Sequence, residues 1–162
     1  MQNKIQLLEK YFETELYEDF HSLQSDLVIW VDWSDYDDAI VEYIEKCLLT
    51  GHLTASIEDQ PNDQLLLKVI YDSKEYTHII VDRDDTIIWL NSILMPDYEI
   101  RFCKISDGSD TLAFLPLTRE HWHQLETIYT LDKINSHFEA INSDSVFFNK
   151  EYDFDEDFFL ED

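Results

Sequence analysis

The chain has 162 residues, of which 36 are Asp or Glu and 11 are Lys or Arg, giving a formal net charge of −25. Such a charge excludes direct binding to nucleic acid or to anionic membrane surfaces, both of which repel it. It also lies well beyond the magnitude of ~2–8 that keeps a small domain soluble. The excess opposes compaction, so it points outward, to a strongly basic partner.

With 44% apolar and 14% aromatic residues the chain has the material for a core. Its length fits one domain, or one domain plus a tail. Two glycines and three prolines leave no room for long flexible linkers. Met1–Lys10 is polar and charged, without the apolar run of a secretory signal. No run approaches the ~18 apolar residues of a membrane span, and a cytoplasmic location is expected. Cys47 and Cys103 sit within apolar patterns and read as buried free thiols.

Along the chain, Ile5, Leu8, Phe12, Leu16, Phe20 and Leu23 recur at three- and four-residue spacings, which predicts one amphipathic helix over 3–23. Leu27–Val31 reads as a buried strand. Ser34 reads as the N-cap of a helix running to about Thr50, with Asp35, Asp37 and Asp38 at its positive end and Gly51 as its stop. The inward stripe of that helix is read as Tyr36, Ile40, Tyr43, Ile44, Cys47 and Leu48. His52–Asp59, Gln64–Tyr71 and Glu75–Val81 read as an antiparallel meander with turns at 61–63 and 72–74. Asp82–Met95 returns to helical spacing and stops at Pro96. Tyr98–Ile105 and Thr111–Leu117 form a hairpin around Asp107-Gly108. Thr118 caps a helix to Tyr129 with Trp122, Leu125 and Ile128 inward, and 131–141 fits helix and strand equally. The expected fold class is α+β: a mostly antiparallel sheet of about five or six strands covered by about four helices. Residues 1–142 form that domain, and 143–162 form an acidic-aromatic C-terminal tail.

Two features could carry binding. Asp38, Glu42 and Glu45 lie at i, i+4 and i+7 on one helix face without an intervening cation, although like charges at this spacing cost a few tenths of a kcal/mol per pair. A solvated helix face is the plain alternative. The second feature is the segment 151–162, with seven carboxylates, five apolar residues and no base. Phe154, Phe158 and Phe159 would serve as anchors, while Asp153, Asp155, Glu156 and Asp157 read a basic surface. A solvated end is the alternative there.

Catalytic and metal chemistry find little support. His121 and His123 point about 200° apart on a helix, so they cannot chelate one ion together. Asp82, Asp84 and Asp85 lack the Gly and terminal Glu of a calcium loop and read as a capping cluster. No nucleophile elbow, P-loop or dinucleotide fingerprint is present. No cofactor, metal or catalytic residue is expected.

The segment Asp97-Tyr98-Glu99-Ile100-Arg101-Phe102-Cys103, then Gly108-Ser109-Asp110-Thr111-Leu112-Ala113-Phe114-Leu115-Pro116-Leu117, together with Trp30-Val31-Asp32-Trp33 before an acidic helix, resembles a small, uncharacterised bacterial family. That family is associated with toxin–immunity loci of competition systems such as type VI secretion. The resemblance covers roughly residues 27–141. It implies an immunity role and transfers no individual binding residue. Gly108-Ser109-Asp110 reads equally well as a recognition loop or as a hairpin turn.

Charge and resemblance together lead to a cytoplasmic immunity protein, a monomer or small homo-oligomer, that neutralises a basic protein toxin, with a nuclease as the leading class. A general DNA mimic of the anti-restriction or anti-CRISPR type is the alternative, and an enzyme is a distant third. The charge divides as −11 over residues 1–60, −5 over 61–120 and −9 over 121–162, which directs attention to the first helices and the tail.

Overall fold

A computed structural model describes residues 4–23 and 26–149. The chain runs α1 (Lys4–Thr14), α2 (Tyr17–His21), β1 (Ile29–Asp32), α3 (Asp37–Leu48), β2 (Leu53–Gln60), β3 (Gln64–Tyr71), β4 (Lys74–Ile79), α4 (Arg83–Leu94), β5 (Tyr98–Cys103), β6 (Thr111–Thr118), α5 (Arg119–Tyr129), α6 (Leu131–His137) and β7 (Phe138–Ala140). The α+β class is as expected, but the strands divide into two antiparallel sheets rather than one. One sheet has the order β1-β6-β5-β7, and the other is the meander β2-β3-β4.

The additional elements have local causes. Glu15 adopts a left-handed backbone, φ 57°, which ends the helix expected to run through 3–23 and starts α2 on a new axis. Its carboxylate is held 2.9 Å from His137 Nε2 and 3.7 Å from Lys133 Nζ. The bend lets Phe12 and Phe20 enter one core. Residues 131–140 supply both of the readings left open, a short helix and then a short strand.

β6 is the centre of the larger sheet. It is apolar along its length because both of its faces are buried. Leu112 and Phe114 point into a core shared with Ile40, Ile44, Val69, Ile87 and Leu90. Ala113, Leu115 and Leu117 point the other way, to Leu8, Phe12, Trp122 and Leu125. The four-stranded sheet therefore has α3 and α4 on one face and α1, α2 and α5 on the other. Pro116 is tolerated in this central strand because β1 pairs only as far as Phe114, while Ile100 opposite donates its N–H to Asn91 Oδ1.

The two-residue turn Asp72-Ser73 joins β3 to β4 with both residues at positive φ, the geometry that suits strand twist. Asp82 caps α4 by accepting the Asp85 N–H at 2.8 Å, and Thr118 caps α5 through His121. Ile128, expected to face inward, is 58% exposed near the last turn of α5. No helix among the described residues is long and apolar enough to cross a membrane.

The boundary expected at residue 142 falls inside the packed unit. Phe147 is buried, with its ring centroid 5.2 Å from those of both Phe102 and Phe114. Composition marks 143–149 as polar, yet one aromatic residue suffices to dock the segment. Asp153, Phe154, Asp155, Glu156, Asp157, Phe158 and Phe159 lie outside the described residues.

Candidate functional site

β1 ends at Asp32, and the chain reaches α3 through Trp33-Ser34-Asp35-Tyr36. This connection is tied by its own carboxylates. Asp32 Oδ1 accepts the Ser34 N–H at 3.2 Å, and Asp35 Oδ2 accepts the Asp32 N–H at 2.9 Å. Asp35 Oδ1 also accepts the Tyr43 hydroxyl at 3.3 Å, and Arg83 Nη2 donates to the Asp35 carbonyl. With Asp32 and Asp35 engaged in the turn, the two aromatic side chains between and beside them are left outside. Trp33 is 67% exposed and Tyr36 74% exposed.

Two expectations are corrected here. Ser34 does not cap α3: the N-cap position is Tyr36, which makes no side-chain cap bond. Tyr36 is also not on the inward stripe, because its backbone is extended, φ −76° and ψ 153°, and helical spacing does not reach it. Val41 takes a place in the core instead, beside Ile40, Ile44 and Cys47.

The acidic face of α3 separates into residues with different roles. Asp37 is buried and accepts the Thr86 hydroxyl from α4. Burial pushes its carboxyl above the ordinary range, while the Thr86 bond and the nearby Arg83 pull it back. Glu45 turns toward the end of the helix, where Oε1 accepts the Thr50 hydroxyl and Oε2 accepts the Gly51 N–H at 2.8 Å. That cap, with Leu49 at φ 55°, ends the helix at Leu48, short of Thr50. Asp38 and Glu42 make no hydrogen bond or ion pair with the described residues. Of the three carboxylates expected to form the stripe, these two stay available to a partner, and Glu45 is committed to structure.

The same corner holds residues 147–149. Asp84, on the first turn of α4, accepts the backbone N–H groups of Phe147, Phe148 and Asn149 at 3.0, 2.8 and 3.1 Å. Beside it Arg83 lies over the Phe148 ring, 6.0 Å from its centroid, while bonding the Asp35 carbonyl. The described chain thus ends, at Asn149, against the first turn of α4, whose Arg83 reaches the Asp35 carbonyl just ahead of α3.

The three aspartates considered for metal chemistry are otherwise engaged. Asp82 caps a helix, Asp84 clasps the chain, and Asp85 sits 2.6 Å from His78 Nε2, whose ring stacks on Trp89 at 4.7 Å. His121 is half-buried, which lowers its pKa, and His123 is exposed. Among the described residues no group of three or more His, Cys, Asp or Glu could hold a metal ion. Cys47 and Cys103 are buried thiols outside any disulfide; burial pushes the Cys47 thiol up to about 12 and Cys103 well above its ordinary value. Thiols held protonated in this way are poor nucleophiles.

Trp33 and Tyr36 are the residues that sequence reasoning missed. The available signal was an aromatic pair set inside an acidic run, with four aspartates from Asp32 to Asp38. Comparisons with protein-family models, with curated proteins and with solved structures find no match.

Proposed function

We propose that this chain is an immunity-type inhibitor that binds a basic bacterial effector toxin in the cytoplasm and covers its cationic surface, a nuclease being the leading class of toxin. Its role is binding rather than catalysis. The observation that carries the reading is the exposed pair Trp33 and Tyr36, 67% and 74% accessible, held by a self-bonded turn beside the unpaired carboxylates of Asp38 and Glu42. Trp and Tyr are the residue types that most often anchor protein interfaces. Their faces attract Arg and Lys, and neighbouring carboxylates complete the match to a basic surface.

The net charge of −25 supplies the long-range part. Opposite charge on the partner steers encounter toward ~10⁸–10⁹ M⁻¹s⁻¹ at low salt. Nucleases carry basic clefts for phosphate, so an acidic inhibitor has a ready target. A general DNA mimic needs carboxylates spaced like phosphates and has no use for two exposed rings. The aromatic pair favours a specific protein partner.

Co-expression tests the reading. The chain should rescue cells from one basic toxin, with the product of the adjacent open reading frame as the first candidate, and should form a tight, salt-sensitive complex with it. Rescue from many unrelated nucleases would identify a general mimic instead. Absence of rescue from any basic toxin, or a complex indifferent to ionic strength, would remove the proposal.

A further inference from the structure

On the other face of the same sheet corner lies a cleft of about 350 Å³, lined by Tyr17, His21, Trp30, Ser109, Asp110 and Thr111. Three elements build it. Tyr17 and His21 are one turn apart on α2, so their rings share a face, with centroids 5.6 Å apart. Trp30 comes from the edge strand β1 and lies 5.5 Å from His21 and 6.5 Å from Tyr17. Phe20, buried beneath, meets the indole edge-on at 5.6 Å and fixes it.

The third wall is the hairpin loop between β5 and β6. The buried Ser106 hydroxyl donates to the Cys103 carbonyl at 2.7 Å and accepts the Ala113 N–H at 2.9 Å, while the Ser109 N–H donates to the Ser106 carbonyl at 3.1 Å. Gly108 supplies the turn at φ 86°. The loop is therefore held in place from inside, and Asp110 is presented at its β6 end, exposed.

The polar groups of this cleft are unspent. The Asp110 carboxylate makes no hydrogen bond or ion pair with the described residues, and the Trp30 indole N–H has no acceptor among them. Three aromatic rings with one unpaired carboxylate are the chemistry of a cation receptor. A guanidinium suits it best: it is planar, stacks on aromatic faces and can bond a carboxylate through two N–H groups.

We propose that this cleft receives one arginine side chain of the basic partner, its guanidinium stacked among Tyr17, His21 and Trp30 and paired with Asp110. The proposal rests on the reading of a basic protein partner and gives that partner a specific contact. The register Asp32 opposite Thr111 places the cleft beside the Trp33 turn, so both can meet one surface. On this proposal Gly108–Asp110 serves as a recognition loop rather than as a plain turn.

The test uses N-acetylarginine amide as the probe and the full chain labelled with ¹⁵N. Titration should move the Trp30 indole N–H resonance and the amides of Ser109, Asp110 and Thr111 to saturation, at a roughly millimolar midpoint. Trp30→Phe identifies the indole peak. The citrulline analogue, of the same shape without the charge, should bind at least about tenfold more weakly, and Asp110→Asn should lose about tenfold toward the arginine probe. Tyr17→Leu should weaken binding while leaving the melting temperature unchanged. Equal binding of citrulline, shifts away from the cleft, or an Asp110→Asn protein that binds as wild type would each overturn the proposal. The two readings fail separately. A cleft that binds arginine in a protein that rescues from no toxin sinks the function; a toxin complex indifferent to Asp110→Asn sinks the cleft.

Discussion

The carboxylate of Asp84 accepts the backbone N–H of Phe147 at 3.0 Å, joining the first turn of α4 to a strand-less segment 63 residues later. Two further N–H groups, from Phe148 and Asn149, converge on the same buried carboxylate. Hydrogen bonds to an ionised acceptor are each worth about 1.5–3 kcal/mol, and an amide oxygen cannot replace the set. Asp84→Asn should therefore cost about 2–3 kcal/mol in urea unfolding. A chain ending at residue 149 keeps the whole clasp and is the reference for a shorter one. One ending at 142 loses Phe147 from the core and should lose about 3–5 kcal/mol. An unchanged midpoint for the 142-residue chain would show that the clasp contributes nothing to the fold.

This clasp also marks where sequence reading stops. β6, the Asp82 and Thr118 caps and the Asp72-Ser73 turn were all legible, because each depends on residues within a few positions of one another. Phe147 was not, since its contacts lie on β5, β6 and α4. The same division runs through the candidate site. Asp38 and Glu42 follow from helical spacing. The anchoring of the Trp33–Tyr36 turn to α4 runs through Arg83, which reaches the Asp35 carbonyl across 48 residues, a contact that no local pattern announces. The bend at Glu15 is of the same kind, for it is held by His137, 122 residues away.

Trp33 and Tyr36 touch solvent over most of their surface, so their removal should cost the fold almost nothing. Trp33→Ala and Tyr36→Ala should stay within about 0.5 kcal/mol of wild-type stability. As anchors, each should weaken the partner complex by about 2 kcal/mol or more, roughly thirtyfold, and chiefly through faster dissociation. Stability by urea titration and dissociation by surface plasmon resonance separate the two effects. Wild-type dissociation rates in both variants would remove the pair from the interface.

Half-buried Asp38 and exposed Glu42 act differently, because unpaired surface charges govern encounter. Asp38→Asn with Glu42→Gln should slow association several-fold at low salt, with little change in dissociation. The difference from wild type should shrink as ionic strength rises and the Debye length falls to about 8 Å near 0.15 M. Stopped-flow association across a salt series provides the measurement. A double variant that associates as fast as wild type at low salt would limit the steering to other carboxylates.

Arg101 is buried on the face of β5 that meets α5. It bonds Glu99 Oε2 at 2.9 Å and Glu126 Oε2 at 3.2 Å, and its guanidinium carbon lies 4.2 Å from the Trp122 ring centroid. The Trp122 indole in turn donates to the Glu99 carbonyl at 2.8 Å. Arg101→Met leaves the buried Glu99 carboxylate with the half-exposed Arg119, 3.4 Å away, and breaking a buried pair costs up to about 3–5 kcal/mol. Arg101→Met should show that loss in thermal unfolding, and adding Glu99→Gln should recover part of it. A single Arg101→Met variant as stable as wild type would mean that the carboxylates find other partners.

Asp37 offers a test with the opposite sign. Burial raises its folded-state pKa above the ordinary 3.8, despite the opposing Thr86 bond and Arg83. The folded protein then holds this proton more tightly than the unfolded chain does. Its contribution to stability is fully present below 3.8 and is lost as pH rises through the folded-state value. At pH 7 the site thus carries a charge that burial disfavours. Asp37→Asn removes the charge and keeps an oxygen for the Thr86 hydroxyl. The variant should be more stable than wild type at pH 7, and the advantage should disappear as the wild-type carboxyl becomes protonated in the acid range. Paired urea titrations at neutral and acid pH read both arms. Lower stability of Asp37→Asn at pH 7 would mean that the helix dipole of α3 and Arg83 together outweigh the burial of this charge.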